Sequence, residues 1–185
     1  MFRALILSLL LMTITPSANA ADTAKAYFAG GCFWCMESSF ESLDGVSDSV
    51  SGYMMLEGRK KPTEVVEVHY DPAKVSYDKL LEIYWLNIDP DDEGGQFYDR
   101  GDAYRTAIFY SSDEEKNKAI ASKADKEKEL KRTLAPIIAP AGSFDIAEAA
   151  HQNFYKTNED HYKRYKNGSG RPDKLKQVWG DKAAH

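Results

Sequence analysis

The stretch KAYFAGGCFWCMESSF, Lys25–Phe40, joins a predicted strand to a predicted helix and holds both cysteines of the 185-residue chain. KAYFAG reads as a short strand that ends in a glycine pair, and beyond it Phe33, Met36 and Phe40 recur at the spacing of one helix face. The two glycines allow a sharp turn between these elements. We therefore expect Cys32 at the junction of the first strand and the first helix.

The patterns on either side of this junction predict an α+β fold. Residues 89–102 read as an acidic, glycine-rich loop whose length indicates a functional role. Strands are predicted at 46–53, 63–70, 104–111 and 135–140, and helices at about 76–88 and 112–130. The core order of strand, helix, strand, strand, helix, strand is the split β-α-β ferredoxin-like pattern. We predict a two-layer sandwich with added flanking helices, formed by one domain over residues 21–185.

Residues 1–20, MFRALILSLLLMTITPSANA, have the pattern of a secretory signal. Arg3 precedes an apolar run, and Ala18-Asn19-Ala20 is an A-x-A cleavage site. The run is far shorter than the roughly 20 residues that span a bilayer. We predict cleavage after Ala20 and a periplasmic or secreted, soluble protein.

Charge and histidine spacing exclude several function classes. The chain has 24 Lys+Arg against 29 Asp+Glu, a formal net charge of −5. An acidic protein with few clustered cations is a poor candidate for binding nucleic acid or an anionic membrane. His151 and His161 do not have metal-ligand spacing. We expect no nucleic acid, no membrane and no metal.

The C-x-x-C motif favours redox or nucleophilic chemistry, since two cysteines are too few for a disulfide scaffold in a domain of this size. A thiol in the first turn of a helix faces unpaired N–H groups and the positive end of the dipole, so the pKa of Cys32 is expected to fall. Cys35 lies one turn further, close enough to bridge after a small adjustment. A passive disulfide or two buried apolar residues is the alternative.

Two aromatic residues and one carboxylate complete the candidates drawn from local patterns. Phe33 continues the apolar stripe, whereas Trp34 falls off it and should be partly exposed, which suggests a pocket for a sulfur- or methyl-bearing group. Strand alternation over residues 63–70 places Glu64 at the head of an apolar row. Burial there would raise its pKa and make it a proton donor near neutral pH. Alternatively, Glu64 reaches water at the strand end.

Four separate blocks carry a resemblance to a known family. They are GGCFWCMESSF, EVVEVHYDPAKVSYDKLLEIYWLNIDP, GGQFYDRGDAYRTAIFY and the tail HQNFYK…YK…GSGR…W. Together, and in this order, they resemble the peptide methionine sulfoxide reductase A family from about Lys25 to Gly180. The G-C-F-W block is highly specific, and D-R-G-x-x-Y-R supports it independently.

The resemblance implies reduction of the S epimer of methionine sulfoxide, free or in proteins, to methionine, which is a repair of oxidative damage. It implies that the Cys32 thiolate attacks the sulfoxide sulfur and becomes a sulfenic acid. Phe33 and Trp34 would then hold the S-methyl group of the substrate. Glu64 would protonate the sulfoxide oxygen.

The resemblance also assigns supporting roles. Tyr104 would hydrogen-bond the sulfoxide oxygen, and Asp99 would help to order the site. Cys35, as the other cysteine of the chain, would resolve the sulfenic acid. The family implies no bound cofactor, an external dithiol such as a thioredoxin-like protein (or dithiothreitol in vitro), and a monomer.

The sequence departs from the family pattern in two places. Between Tyr53 and Glu64 it carries only MMLEGRKKPT, where relatives have a longer loop with P-T-Y and T-G-H elements. The family's second oxygen-binding tyrosine is therefore missing, and Tyr53 and Tyr98 are the candidates to replace it. Tyr98 also stands where many relatives have a resolving cysteine, which leaves this task to Cys35 or to an outside thiol.

Two other functions remain open at this stage. A C-x-x-C after a strand is also typical of thioredoxin-type thiol–disulfide oxidoreductases. A non-catalytic module that binds sulfoxides or peptides is the third possibility, because of the shortened loop before Glu64.

Overall fold

The structure is a computed structural model and describes residues 23–183. The predicted signal at residues 1–20 lies outside the described residues. The elements within them are β1 (Ala24–Gly30), α1 (Phe33–Phe40), β2 (Val46–Met54), β3 (Thr63–Tyr70), α2 (Tyr77–Leu86), β4 (Gly95–Gln96), β5 (Asp99–Arg100), β6 (Thr106–Tyr110), α3 (Asp113–Leu130), β7 (Ile137–Pro140), β8 (Phe144–Ile146), α4 (Phe154–Thr157), α5 (Glu159–Gly168) and α6 (Arg171–Trp179).

Six strands form one sheet in the order β7-β6-β1-β3-β2-β8. The four central strands, β6-β1-β3-β2, pair antiparallel with one another, which is the arrangement of the split β-α-β core. β7 pairs parallel to β6 at one edge, and β8 pairs antiparallel to β2 at the other. The predicted α+β fold with added flanking elements is confirmed.

The predicted starts of two helices are confirmed by their caps. The Ser76 hydroxyl accepts a hydrogen bond from the Lys79 amide at 3.2 Å before α2. The Ser112 hydroxyl accepts one from the Glu115 amide, also at 3.2 Å, before α3. Each cap satisfies an amide that the helix leaves unpaired, which typically stabilises the protein by about 1 kcal/mol.

The structure corrects the sequence interpretation in two short segments. The predicted loop at 89–102 contains the small hairpin β4–β5. β8 was not predicted, and it has only three residues, of which Ile146 is 70% exposed. Segments this short are below the length at which a period can be recognised.

Aromatic packing fixes α1 and α2 on one face of the sheet. Phe28 of β1 stacks on Phe40 of α1, with ring centroids 4.9 Å apart, and on Tyr84 of α2, at 5.5 Å. Each such pair contributes roughly 0.5–1.5 kcal/mol beyond the area that it buries. The turn between β1 and α1 is thereby held at one end of the sheet. None of the helices within residues 23–183 is long and apolar enough to cross a bilayer.

Candidate active site

Cys32 is the N-cap residue of α1, in the tight turn that follows β1. Gly31 in this turn has φ 79°, and a Cβ on it would lie 2.5 Å from the Cβ of Gln96. Only glycine meets both conditions, because other residues rarely adopt this conformation and no side chain fits. The turn places the Cys32 side chain, which is 5% exposed, at the floor of a pocket.

The thiol pKa values differ from the sequence expectation. Burial raises the pKa of the Cys32 thiol well above its usual range, and its hydrogen bond to Cys35 adds to this. The predicted fall in the pKa of Cys32 is therefore wrong, because one helix terminus does not offset the loss of water around a buried thiol. The same hydrogen bond, followed by the charge of Arg171, lowers the pKa of Cys35 to about 6. The hydrogen bond between the thiols and the charge of Arg171 therefore favour one thiolate on this pair.

The carboxyl group of Glu64 lies at the first turn of α1 and does not extend from the end of β3 into water. One of its carboxyl oxygens, Oε2, accepts a hydrogen bond from the backbone N–H of Phe33 at 2.9 Å. Burial raises the pKa of Glu64 to about 8, against that hydrogen bond, and the charges of Asp99 and Cys35 raise it further. Glu64 is protonated near neutral pH and can donate a proton into the pocket, as the buried interpretation predicted.

The pocket has a volume of about 320 Å³, at the small end of the range for small-molecule sites. It brings together all of the predicted site residues except Cys35. Its predicted members are Cys32, Phe33, Trp34, Glu64, Asp99 and Tyr104. Three further residues line it that the sequence analysis did not select, namely His151, His161 and Tyr165.

Cys35 lies behind the pocket wall and is 2% exposed. It packs with Phe154 and Tyr162 in a small apolar cluster. Its amide donates to the carbonyl of Cys32 at 3.1 Å, so the two residues share the first turn of α1. Both thiols are free, and of the two only Cys32 lines the pocket.

An aromatic wall holds Trp34 in place. Its indole stacks on Phe154, with centroids 3.9 Å apart and the rings 13° from parallel. Tyr165 meets the same indole edge-on at 5.7 Å. Trp34 is half-buried, as predicted, and turns one apolar face to the pocket. A methyl or thioether group would find a preformed surface there.

Tyr165 is the main site residue that sequence reasoning missed. Its hydroxyl donates a hydrogen bond to Oδ2 of Asp99 and also bonds to the Cys32 sulfur. Burial and the nearby Cys32 raise its pKa, so it remains a neutral phenol that orients Asp99. Tyr165 lies on α5, 133 positions after Cys32, and no local spacing links the two.

The two tyrosines proposed as replacements behave differently. Tyr98 is 76% exposed and does not line the pocket. Tyr53 is the cross-strand partner of Glu64, and its ring centroid lies 5.7 Å from that of Phe33. Tyr53 does not line the pocket either, but it lies beside Glu64 and Phe33, which do, so it is the better-placed candidate of the two.

Tyr104 lines the pocket as predicted. Burial raises the pKa of Tyr104 to about 12, so its hydroxyl stays protonated and can donate to a ligand oxygen.

Comparisons with known proteins agree with this geometry. The family profile described as "Peptide methionine sulfoxide reductase" matches residues 24–183. A peptide methionine sulfoxide reductase MsrA of Bacillus velezensis is 43% identical over 171 residues, which cover 85% of this chain and 96% of the relative. The MsrA of Listeria monocytogenes is 42% identical over 168 residues, covering 84% of this chain and 95% of the relative.

Solved structures show the same fold. Mxr1 from Saccharomyces cerevisiae in its reduced form aligns with a TM-score of 0.70 at 25% identity, covering 77% of this chain and 90% of that one. Methionine sulfoxide reductase A of Corynebacterium diphtheriae aligns with a TM-score of 0.68 at 26% identity, covering 77% of each chain. The chain belongs to the peptide methionine sulfoxide reductase family, and it is an enzyme that reduces methionine sulfoxide to methionine.

Proposed function

We propose that this enzyme reduces the S epimer of methionine sulfoxide, in proteins or free, through a sulfenic acid on Cys32 that Cys35 resolves. The observation that carries the proposal is the carboxyl group of Glu64, which is protonated near neutral pH and lines the same pocket as Cys32. A nucleophilic sulfur and a proton donor at one pocket are what oxygen transfer from a sulfoxide requires. The thioredoxin-type and non-catalytic alternatives are not favoured, given the family to which the chain belongs.

The first step transfers oxygen from the substrate to Cys32. The Cys32 sulfur attacks the sulfoxide sulfur, and its proton passes to the Cys35 thiolate to which it is hydrogen-bonded. Glu64 protonates the sulfoxide oxygen while Tyr104 donates a hydrogen bond to it. The attack joins the two sulfurs, and the protonated oxygen then moves to the Cys32 sulfur. The sulfur–sulfur bond and the sulfur–oxygen bond of the substrate break as the sulfur–oxygen bond of Cys32 forms, so the substrate gains two electrons and leaves as a thioether, and Cys32 becomes a sulfenic acid.

The pocket gives a physical reason for choosing one epimer. Phe33 and Trp34 supply apolar surface to the pocket for the S-methyl group, and the hydroxyl of Tyr104 and the carboxyl group of Glu64 are the donors for the oxygen. With these two groups held, the remaining substituent of the sulfur must point to the opening in one epimer only. The other epimer would leave the oxygen without its donors, and such a loss is costly in a desolvated site.

The second step restores the reduced enzyme. The Cys35 thiol attacks the sulfenic sulfur of Cys32, which releases water and forms a disulfide within the first turn of α1. An external dithiol of the thioredoxin type then returns two electrons by exchange, beginning at the Cys32 sulfur on the pocket side. Electrons that enter as thiols require no bound cofactor. The leader at residues 1–20 supports a periplasmic or secreted location for this cycle.

A direct assay tests the proposal. The protein is incubated with dithiothreitol and with each epimer of a blocked methionine sulfoxide, and methionine is measured by chromatography. We expect turnover of the S epimer only. Turnover of the R epimer, or reduction of insulin without sulfoxide turnover, would contradict the assignment.

A further inference from the structure

Arg171, the first residue of α6, lies directly beneath the turn that carries Cys32. Its guanidinium donates from Nη2 to the carbonyl of Gly30 at 3.1 Å and from Nη1 to the carbonyl of Asn87 at 2.6 Å. It also lies 4.3 Å from the ring centroid of Phe97. The residue is 2% exposed. One side chain therefore ties together α6, the end of α2 and the end of β1.

This charge is placed where it costs free energy. Among the ion pairs formed by residues 23–183, none includes Arg171. Asp89, on the neighbouring loop, pairs with Lys174 instead. A buried charge without an opposite partner is expensive, and a cation is also disfavoured at the positive end of a helix. The carbonyl oxygens of Gly30 and Asn87 and the ring of Phe97 offset only part of this free-energy cost.

The charge of Arg171 acts on the thiol pair that its turn carries. Among the groups that lower the pKa of Cys35, and so favour a thiolate on the pair, Arg171 comes second after the hydrogen bond between the two thiols. Lys166 contributes less than Arg171. The other titratable groups that face the pair are Glu64, Asp99, Tyr104, Tyr162, Tyr165, His151 and His161. Of these groups only the histidines can become cationic, and both lie on the pocket side.

Further contacts of buried side chains hold the turn between β1 and α1 in place. Gln96, fully buried, fills the space beside Gly31 and makes hydrogen bonds to the backbone N–H and carbonyl of Asp89. Asn87, whose carbonyl Arg171 holds, accepts through its side chain a hydrogen bond from Ser39 on α1 at 2.8 Å. Arg171 is thus connected to both sides of the segment that positions Cys32.

We propose that Arg171 is a positioning residue for the reaction: its guanidinium fixes the Gly30–Cys32 turn and is the buried counter-charge of the thiolate shared by Cys32 and Cys35. The inference rests on the proposed function of these thiols. Arg171 does not touch the substrate, and it acts only through the turn and the thiol pair.

The test compares neutral and charged replacements. Arg171→Met and Arg171→Gln both remove the charge, and Arg171→Lys keeps it but loses the forked geometry that spans two carbonyls. The matched control is Lys176→Met, which removes one exposed positive charge from the same helix. The readouts are the pH dependence of thiolate absorbance and of alkylation in the reduced protein, together with kcat, KM and Tm.

We expect the neutral variants to raise the apparent pKa of the thiol pair by roughly 1 pH unit or more, the usual scale for losing a nearby opposite charge. They should lower kcat more than they raise KM. Arg171→Lys should keep the thiol pKa near that of the wild type, and the control should match the wild type in every readout. If Arg171→Met does not fold, Arg171→Gln carries the test, since it keeps an N–H donor for one carbonyl.

A folded neutral variant whose thiol pKa equals that of the wild type would overturn the proposal. Arg171 would then only stabilise the fold through its contacts with Gly30 and Asn87. The thiol titration needs no substrate. Failure of the proposed function, seen as no turnover by the wild type, is therefore distinguishable from failure of the inference about Arg171.

Discussion

Two pairs of a thiol and a carboxyl group lie at α1, with opposite surroundings. Cys32, the N-cap residue, and Glu64, bonded to the N–H of Phe33, open to the pocket. Cys35 and Glu37, further along the helix, face the interior, and Glu37 is fully buried. Burial raises the pKa of both carboxyl groups, to about 8 for Glu64 and about 7 for Glu37. A raised carboxyl pKa alone therefore does not identify a catalytic acid; access to the substrate does.

The carboxyl group of Glu37 bonds to a distant backbone segment, whereas that of Glu64 lines the pocket. Oxygen Oε1 of Glu37 accepts a hydrogen bond from the backbone N–H of Asn153 at 3.0 Å. Asn153 has φ 52°, a left-handed conformation that asparagine adopts more readily than most residues. The contact holds the segment that brings His151 and Phe154 against Trp34. Glu64 thus belongs to the reacting groups, whereas Glu37 supports the fold around them.

The largest effect is expected at Cys32. Cys32→Ser should reduce sulfoxide turnover to background, because an alcohol is far less nucleophilic toward sulfur than a thiol and cannot become a sulfenic acid. The measurement is methionine release with excess dithiothreitol. Turnover above a few per cent of wild type would contradict the assignment of Cys32 as the attacking thiol.

Glu64 should give the next largest effect. Glu64→Gln should lower kcat by roughly 10²-fold, the usual scale for losing a general acid. Wild-type kcat should fall as the pH rises through about 8, because Glu64 then loses the proton that it donates. That alkaline limb should be absent in the variant. An unchanged rate and pH profile would favour a tyrosine as the proton donor.

Cys35 tests the second thiol. Wild-type enzyme given one equivalent of methionine sulfoxide without reductant should lose two hydrogens by mass spectrometry, with both thiols blocked to alkylation. Cys35→Ser should still release one methionine per enzyme but gain one oxygen instead, and its steady-state rate with a thioredoxin-like donor should fall about 10-fold, since an intramolecular thiol has a large effective concentration. A normal rate in this variant would make Cys35 a packing residue.

The smallest effect on activity is expected at Glu37, where stability should change instead. Because its pKa is raised when the protein is folded, the native state binds the proton more tightly, and stability due to this group is lost as the pH rises from about 4.5 to about 7. The loss is on the order of 3 kcal/mol for a shift of this size. Glu37→Gln should remove this slope from the pH dependence of urea unfolding while kcat stays within about 2-fold of wild type. A fall in kcat comparable with that of Glu64→Gln would contradict the contrast between Glu37 and Glu64.

Local patterns were sufficient to predict the fold core and most of the site. The strands and helices around Cys32 have clear periods, and Ser76 and Ser112 mark their helix starts because a cap is a contact over three residues. The location of Glu64 followed from strand alternation. Each of these features depends on neighbours that are close in sequence.

The remainder depends on contacts between distant segments. Arg171 and Tyr165 reach the Cys32 turn from helices near the end of the described chain, and no spacing in the sequence connects them to it. The direction of the pKa of Cys32 was wrong for the same reason. The helix terminus could be predicted locally, whereas the desolvation that outweighs it arises only when the sheet, α1 and α5 pack together.

The stacking of Trp34 on Phe154 provides an intrinsic fluorescence probe at the pocket. The chain has three tryptophans, and Trp85 and Trp179 are buried in the core at 0% and 5% exposure. Trp34 is the one that lines the pocket, and it contacts the rings of Phe154 and Tyr165. Changes in intrinsic fluorescence on adding a sulfoxide, or on oxidising the thiol pair, should therefore come from a single indole. Each stage of the catalytic cycle can be timed in a stopped-flow instrument without attaching a dye.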